Sequence, residues 1–396
     1  MADITPPKSP LRIAYLCDAD PRDRNLYSGG NARLFDALST RFDDIHILPQ
    51  GWGWAEPIRQ LVLAMPEPLI LRAKWRLHLL FSQIIARSVR KELGRQQFDV
   101  LFCAYSFHSL YGLKPPYPIT TVFTSDATPS VYKHSEIGQV FDSFFNLSRK
   151  FDHLILKAET AVFQSTDLLL WPSNWVKNDA EQWFELAPGR SQIVPWGANI
   201  PDPGILTNAP LLTAGDPIRI LLVGRDWFAK GGPIAAEAVQ LLRRRGVDAR
   251  LTVVGCTPPE TGLGEALRVY PSLNKAKPDE MKMFQDQYRQ AHFMMMPSFE
   301  SYGFAFCEAS AYGVPSLCND VGGVPVYDGI NGFALPTDVG PEAYADIVQN
   351  FLARPERYDA LRQSTRREYE ERLNWNAWAD RTAALIEAAV ANRKAP

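Results

Sequence analysis

Short apolar runs alternate along the chain with segments whose apolar residues recur at helical spacing. Helical spacing in the first half is clearest over Leu69–Leu93 and His134–Phe163. Alternation of this kind predicts an α/β fold with a doubly wound parallel sheet. The runs that predict strands in this half are Leu11–Cys17, Asp44–Pro49, Asp99–Ala104, Ile119–Phe123, Leu168–Trp171 and Gln192–Pro195.

The alternation stops over Pro201–Pro217, where four prolines and two glycines stand in a weakly periodic stretch, and then starts again. We therefore predict a first domain over 1–200, a linker over 201–216, a second domain over 217–374 and a closing helix over 375–396. A cleft between two such domains is a common place for ligand chemistry. The second half is predicted to contain strand Ile218–Val223, helix Gly232–Arg244, strand Ala249–Val254, helix Asp279–Gln290, strand Phe293–Met296, helix Phe304–Tyr312, strand Pro315–Cys318 and helix Trp375–Ala391.

Composition narrows the class of protein. The 396 residues carry a net charge of −2, so no global field favours nucleic acid. No apolar run approaches the roughly 18 residues of a spanning helix. Five scattered cysteines without metal spacing favour a reducing cytoplasm. The basic helix predicted over 69–93 leaves a peripheral membrane contact from the cytoplasmic side as an alternative, although packing on the sheet is the preferred interpretation.

The most informative stretch holds two acids, Glu300 and Glu308, just after the predicted strand Phe293–Met296. Glu300 is expected in the loop that follows the strand, and Glu308 one turn into the next helix. Ligands of open α/β sheets bind at this edge. Free amides at a helix start hold anions. A carboxylate on either side of an anion site suits a nucleotide-diphosphate sugar. The amides concerned are those of Gly303, Phe304 and Ala305.

Two cations follow the first strand of the second half. Arg225 and Lys230 are five positions apart in a loop bounded by glycines, and both are expected to converge on a diphosphate. Fixed cations stabilise the charge that grows on a leaving diphosphate. A solvated turn is the alternative for such a pair, but the shared sheet edge with Glu300 favours the phosphate role. The loop lacks the Walker pattern.

Weaker signals occur elsewhere. The glycines of Ser28-Gly29-Gly30 permit either close backbone approach to a ligand or a plain turn. The glycine pair in 319–325 and the turn over 328–332 have both structural and functional interpretations. Asp18-Ala-Asp20 has carboxylates that suit a hard metal ion, yet an acceptor-facing loop is preferred, and no metal site is predicted.

Together, Arg225…Lys230, Glu300-x7-Glu308 and Val321-Gly-Gly-Val-Pro325 resemble the signature of the retaining GT-B glycosyltransferases of family 4, the glycosyl transferases group 1. The resemblance is strongest over 218–391 and looser in the first half. It implies two Rossmann-like domains whose parallel sheets face across a cleft. It also implies transfer of a hexose from a UDP- or GDP-sugar to a glycan, lipid-linked or small-molecule acceptor, with retention, no metal and no cofactor.

The resemblance also implies roles for individual residues. Arg225, Lys230, Glu300 and Asp126 would be catalytic. The family commonly has a histidine before that aspartate, but Ser125 stands here, so Ser125 and His108 are candidates for the acceptor side. Trp196 and Trp227 are expected either to stack on a sugar or base or to pack. The donor-binding set would be Gly29, Gly30, Arg225, Lys230, Gly303, Phe304, Ala305 and Glu308.

Two alternatives to the transferase remain at this point. An epimerase acting on the nucleotide-sugar would need an acid and a base across the sugar, and the first half offers no clear pair. A non-catalytic nucleotide-sugar binder would be in keeping with Ser125 in place of histidine. A dehydrogenase is less favoured because no G-x-G-x-x-G follows a predicted strand.

Overall fold

A computed structural model describes residues 8–24, 26–49, 51–63, 77–141, 152–204, 206, 210–213 and 215–394. The chain divides into two compact units. Unit 1 comprises residues 1–195 and 378–396, and unit 2 comprises residues 196–377. Each unit is an α/β fold of its own, built on a six-stranded parallel sheet.

The sheet of unit 1 has the strand order β2-β1-β3-β4-β5-β6. Val100–Ala104, its third strand along the chain, is buried along its whole length because helices cover both faces of the sheet. The register is parallel throughout, as in the pairing of Ile13 with Val100 and of Leu169 with Ser191. The strands are β1 (Ser9–Leu16), β2 (Phe42–Ile47), β3 (Val100–Ala104), β4 (Thr120–Thr124), β5 (Leu168–Trp171) and β6 (Ser191–Ile193).

Helices surround this sheet, and their apolar faces complete the core of unit 1. Phe163, for example, packs against Phe123 and Trp171 with ring centroids 5.0 and 5.8 Å away. A single 3-10 turn, Leu26–Gly29, precedes the first helix. The helices are α1 (Gly30–Ser39), α2 (Glu56–Leu63), α3 (Ser82–Leu93), α4 (Phe107–Leu110), α5 (Pro129–His134), α6 (Glu136–Phe141), α7 (Asp152–Ser165) and α8 (Asn174–Trp183).

The sheet of unit 2 has the order β12-β11-β10-β7-β8-β9. Phe293–Met296 is fully buried at its centre, next to β7. The strands are β7 (Ile218–Val223), β8 (Ala249–Val254), β9 (Leu267–Tyr270), β10 (Phe293–Met296), β11 (Ser316–Asn319) and β12 (Gly332–Leu335). The helices are α9 (Gly232–Arg244), α10 (Pro278–Gln290), α11 (Phe304–Ala311), α12 (Pro341–Leu352) and α13 (Pro355–Glu371).

The last helix, α14 (Trp375–Lys394), begins in unit 2 and continues in unit 1 from Trp378 onward. In unit 1 the Trp378 ring lies edge-on to Phe102, with centroids 6.3 Å apart. Asp380 accepts a 2.6 Å ion-pair hydrogen bond from Arg41. These contacts make the end of the chain part of the first unit's core.

The segment His134–Phe163, which has helical spacing, contains more than one helix. α5 ends at His134, and Ser135 has extended backbone (φ −80°, ψ 163°). Its hydroxyl accepts from the amide of Gly138, so Ser135 acts as a cap at the start of the next helix. Residues 142–151 and 69–76, which complete the two predicted helical segments, lie outside the described residues. No helix within the described ranges has both the length and the apolar character needed to cross a bilayer.

Candidate active site

Lys230 and Glu300 form an ion pair at the carboxyl edge of the sheet in unit 2. Lys230 stands in the loop after β7 and Glu300 in the loop after β10, and these two strands are neighbours. The Ser298 hydroxyl donates a 3.2 Å hydrogen bond to the Glu300 carboxylate. The Lys230 and Glu300 side chains are 27% and 16% exposed, so both are accessible to a ligand at this edge.

Glycines shape the loop that carries Lys230. A Cβ on Gly224 would overlap the Lys230 side chain, so the lysine stem lies directly on the bare backbone of Gly224. Gly231 has a φ of +71°, and a Cβ there would meet the carbonyl of Pro297. Only glycine fits this close approach of the two loops. The glycines that bound the loop therefore direct the lysine toward Glu300.

Glu308 lies on α11 and is 2% exposed. Its carboxylate accepts a 2.6 Å hydrogen bond from the Lys275 ammonium and a 2.9 Å hydrogen bond from the Tyr288 hydroxyl. Lys275 also lies over the Phe284 ring at 4.2 Å. The pairing with Lys275 offsets the cost of burying the charge. Neither Lys275 nor Tyr288 belongs to a recognisable motif, so neither was predicted as a site residue.

The start of α11 presents backbone amides beside Glu300. Gly303 has a φ of +88° and precedes the helix, whose first-turn amides, including those of Phe304 and Ala305, have no partners inside the helix. Gly323 donates its amide to the carbonyl of Ser301 at 3.1 Å, which holds the glycine loop after β11 against the loop that carries Glu300. Arg225 is exposed in the same loop as Lys230.

Trp196 and Trp227 of unit 2 are packing residues. Trp196 is 1% exposed and stacks on Phe304 with centroids 5.8 Å apart and a 9° angle between the rings. Its carbonyl accepts a 2.7 Å hydrogen bond from Tyr302. Trp227 is 5% exposed and contacts Gly232, where its ring fills the space that a Cβ would need. The packing alternative therefore holds for both.

Unit 1 has its own group of polar residues at the carboxyl edge of its sheet. Gly29 has a φ of +82° and leads into α1 at Gly30, which is buried. The Ser125 hydroxyl donates to the carbonyl of Ala127 at 2.7 Å, so it closes a turn after β4. Asp126 follows, half-buried. Burial, and then the charge of Asp126, raise the pKa of Tyr105 well above its ordinary value, so this phenol stays protonated.

His108 also lies at this edge of the sheet, but its neighbours are not the residues that the sequence suggested. It is buried in α4, after β3, and its imidazole stacks on that of His78 with centroids 4.6 Å apart. Asp18, after β1, is also buried, and ligand atoms of Asp18, His78 and His108 all lie within 4.8 Å of one another. Asp20 is instead exposed and paired with Arg22 at 2.9 Å. The Asp18-Ala-Asp20 pair therefore does not act as two carboxylates on one site.

The backbone around this group is strained. Tyr27, Ser28 and Tyr105 adopt positive φ angles of 52°, 53° and 61°. Each costs about 1–2 kcal/mol for a residue with a Cβ. The Tyr27 and Tyr105 rings stack at 4.2 Å with 14° between them, and the Tyr27 hydroxyl donates to Asp18 at 2.5 Å. Strain of this kind concentrates at ligand sites.

The predicted site residues thus fall into two groups. Lys230, Glu300 and the start of α11 come together in unit 2, while Glu308 is held by Lys275 and Tyr288 rather than by the cations of the 225–230 loop. Residues of the predicted set that belong to unit 1 are Gly29, Gly30, His108, Ser125 and Asp126.

The sequence match to a known protein family lies within one of these two units. Residues 217–354, within unit 2, match the family Glycosyl transferases group 1. The chain is 27% identical over 231 residues to D-inositol 3-phosphate glycosyltransferase of Streptomyces griseus, an alignment that covers 53% of this chain and 45% of that protein. The chain spans about half the length of the curated relatives it matches.

Solved structures extend the likeness to both units. Sucrose-phosphate synthase from Thermosynechococcus elongatus superimposes with a TM-score of 0.66 at 17% identity, over 96% of this chain and 100% of the other. Anabaena Alr3699/HepE, solved in complex with UDP, gives 0.60 at 11% identity over 96% and 100%. The predicted GT-B fold is confirmed: the chain has two six-stranded parallel sheets with flanking helices, as these proteins do. The sequence similarity to the glycosyl transferases group 1 lies over residues 217–354, within the second unit.

Proposed function

We propose that this protein is a retaining glycosyltransferase that moves a hexose from a UDP- or GDP-sugar to a hydroxyl of a glycan, lipid-linked or small-molecule acceptor. The observation that carries the proposal is the Lys230–Glu300 pair beside the first-turn amides of α11, inside the matched family domain. Three kinds of group lie at this sheet edge, and each suits one part of such a donor. The cation suits the diphosphate, the acid suits the sugar hydroxyls, and the amides suit the linkage between diphosphate and sugar.

The donor enters by exchanging partners with this ion pair. The Lys230 ammonium turns to the diphosphate, joined by Arg225, and the Glu300 carboxylate accepts hydrogen bonds from sugar hydroxyls. Both groups are already oriented, since Gly224 and Ser298 hold them in place. Preorganised charges of this kind stabilise a transition state without reorganisation at the moment of reaction.

In the transfer step the bond from the anomeric carbon to the diphosphate oxygen breaks, and a bond to the acceptor oxygen forms on the same face. The leaving diphosphate takes the acceptor's proton, so no side chain needs to serve as base. Arg225 and Lys230 supply the positive charge that the leaving group requires, which supports a reaction without a metal at the donor.

Glu308 is proposed to bind the ribose. A carboxylate has about four lone-pair sites, so hydrogen bonds from Lys275 and Tyr288 leave capacity for ribose hydroxyls. In unit 1, Asp126, Ser125 and His108 are proposed to contact the acceptor, and Gly29 and Gly30 permit close backbone approach to a ligand. The five buried thiols are in keeping with the proposed cytoplasmic location.

The proposal is tested with a panel of UDP- and GDP-hexoses, first for binding by calorimetry and then for hydrolysis or transfer by mass spectrometry. We expect Lys230→Ala to lower turnover about 10²–10³-fold, because it removes a fixed charge from the leaving group. Arg225→Ala is expected to act in the same direction. NMR of the product's anomeric proton reports retention.

Lys277→Ala is the matched control. Lys277 is two positions after Lys275 in the chain, its side chain is 66% exposed, and it forms an ion pair with Glu280. Its turnover should equal that of the wild type. Equal turnover in Lys230→Ala would remove the phosphate role from this loop. Epimerised donor in the absence of acceptor would favour the epimerase, and binding without any turnover would favour the silent binder.

A further inference from the structure

We propose that Asp18, His78 and His108 form a binding site for one divalent transition-metal ion in unit 1. This site is additional to the proposed donor site of unit 2 and does not depend on the transferase assignment. It departs from the expectation, drawn from the family resemblance, that the protein has no metal site.

The three side chains converge from separate parts of the fold. Asp18 follows β1 and His108 lies in α4 after β3, which is the neighbouring strand. His78 belongs to the helical residues 77–80, whose Leu77 carbonyl accepts the amide of Phe81 at the start of α3. The two histidines therefore lie on helical segments, which hold ligands more precisely than loops do, and Asp18 lies in the loop directly after its strand.

The ligand atoms lie near one another, but farther apart than a bound ion would hold them. One carboxylate oxygen and one nitrogen from each imidazole lie within 4.8 Å of one another. Bonds of about 2.0–2.2 Å to a central ion bring such atoms to roughly 3.4 Å apart. The stacked rings make an angle of 21°, so binding requires one imidazole to turn until both in-plane lone pairs meet at the ion.

The surroundings suit a cation. All three residues are 3% exposed or less, so the carboxylate charge is buried beside two imidazoles, and a bound cation would neutralise it. Aromatic rings pack edge-on against both imidazoles. The ring centroid of Trp52 lies 4.9 Å from that of His78, and the ring centroid of Phe107 lies 5.6 Å from that of His108. A buried cluster of this composition favours metal binding over solvation.

The aspartate is oriented by a second layer of contacts. Tyr27 donates its hydroxyl to one Asp18 oxygen at 2.5 Å, and the Asp18 amide donates to the Ser106 hydroxyl at 2.7 Å. Hydrogen bonds of this kind fix the orientation of metal ligands. The strained backbone at Tyr27 serves this contact, because it brings the phenol over the carboxylate.

The chemical types of the three metal ligands limit which ions fit the site. Two imidazoles and one carboxylate suit zinc, cobalt or iron in the divalent state, whereas magnesium and calcium prefer oxygen ligands alone. Three protein ligands leave at least one coordination position for water or for an oxygen of a bound molecule.

The test uses the full-length protein after treatment with a chelator. Titration with Co²⁺ alone is expected to give visible absorption bands of a low-symmetry site at one ion per chain. X-ray absorption of the Zn²⁺-loaded wild type is expected to show two imidazoles in the first coordination sphere. This measurement needs no variant, so it decides the proposal even where a buried substitution disturbs folding.

Variants then locate the site. His78→Ala, His108→Ala and Asp18→Asn are each expected to lower Zn²⁺ affinity by about a hundredfold or more, and Tyr27→Phe by about tenfold. The matched controls are His46→Ala and His153→Ala, since both residues are exposed in unit 1 outside the cluster. These two variants should bind as the wild type does.

Three results would overturn the proposal. The first is no change in the visible spectrum when Co²⁺ is added to the wild type. The second is a zinc coordination sphere without two imidazoles. The third is undiminished affinity in folded His78→Ala and His108→Ala, verified by circular dichroism.

Discussion

Glu159 of unit 1 and Glu308 of unit 2 are both deeply buried on helices, and they have different partners. Glu159, on α7 of unit 1, is 0% exposed and accepts from the amide and the hydroxyl of Ser130. Glu308, on α11 of unit 2, is 2% exposed and accepts from the ammonium of Lys275 and the hydroxyl of Tyr288. The two acids are buried to nearly the same extent, so the difference between them lies in their hydrogen-bond partners.

Burial raises the pKa of Glu159 to about 7, and the hydrogen bonds from Ser130 offset only part of that rise. A neutral hydroxyl and an amide therefore leave this acid able to gain or lose a proton near neutrality. Glu308 instead accepts from a cation, at 2.6 Å, as well as from a hydroxyl. The two buried acids are thus distinguished by their partners, not by their depth.

The largest expected effect is the pH dependence that Glu159 gives to unit 1. Its pKa is higher in the folded state, about 7, than the ordinary value of 4.5. The stability it contributes is therefore fully present below pH 4.5 and is lost as pH rises through 7. At about 1.4 kcal/mol per pH unit the loss amounts to about 3 kcal/mol.

Glu159→Gln should remove this dependence, because glutamine resembles the protonated acid and does not titrate. Hydrogen exchange of the α7 amides, followed from pH 4.5 to 8, reports the opening free energy of this region for both proteins. Parallel profiles for the wild type and the variant would contradict the prediction.

An effect of similar size and opposite sign is expected in unit 2. His292 is buried, which lowers its pKa from 6.5 to about 4, with a further contribution from the charge of Arg219. Its Nδ1 accepts the amide of Arg219 at 3.0 Å and its Nε2 donates to the carbonyl of Leu211 at 3.2 Å, an arrangement that needs the neutral ring. Stability present above pH 6.5 is thus lost as pH falls through 4, by about 2–3 kcal/mol.

His292→Asn keeps an acceptor near Nδ1 and does not titrate, so acid should destabilise unit 2 less in this variant. Hydrogen exchange of the β7 and β10 amides at pH 4 and pH 7 measures the change. Equal acid sensitivity of both proteins would show that His292 is not the titrating group.

The smallest effect expected is on the Lys275–Glu308 pair itself. Lys275→Met keeps the chain length over Phe284 and removes the cation, at a cost of about 1–2 kcal/mol, since the lysine side chain is 38% exposed and partly screened. A double-mutant cycle with Glu308→Gln isolates the pair, and Lys277→Met is the control. Additive effects in the cycle would mean that the pair contributes nothing.

The fold was predictable wherever strands are buried on both faces. Phe293–Met296 and Leu168–Trp171 are continuous apolar runs, and both have the predicted bounds. Leu267–Tyr270 and Gly332–Leu335 were missed because they are edge strands, half-exposed and less apolar. The helical periodicity across Ser135 hid a break, because a capping serine does not interrupt the apolar spacing.

The candidate sites were predictable only where a loop follows a strand. Lys230 and Glu300 lie in the loops that follow two neighbouring strands, so topology brings them together across 70 positions of sequence. Lys275 contacts Glu308 although 33 positions of sequence separate them, and Lys275 belongs to no recognisable sequence motif. His78 is similar: its position in a helical segment says nothing of its meeting with Asp18 and His108, which depends on tertiary packing.

The last helix has a consequence for how the protein is made. Trp378 and Ile386 are 1% and 0% exposed, and Arg393 and Lys394 form ion pairs with Asp167 and Asp99 of unit 1. A ribosome that has finished residues 1–195 has therefore not yet supplied all of the first unit's core. The second unit emerges complete before the first can close, so we expect co-translational folding to finish in the reverse of chain order.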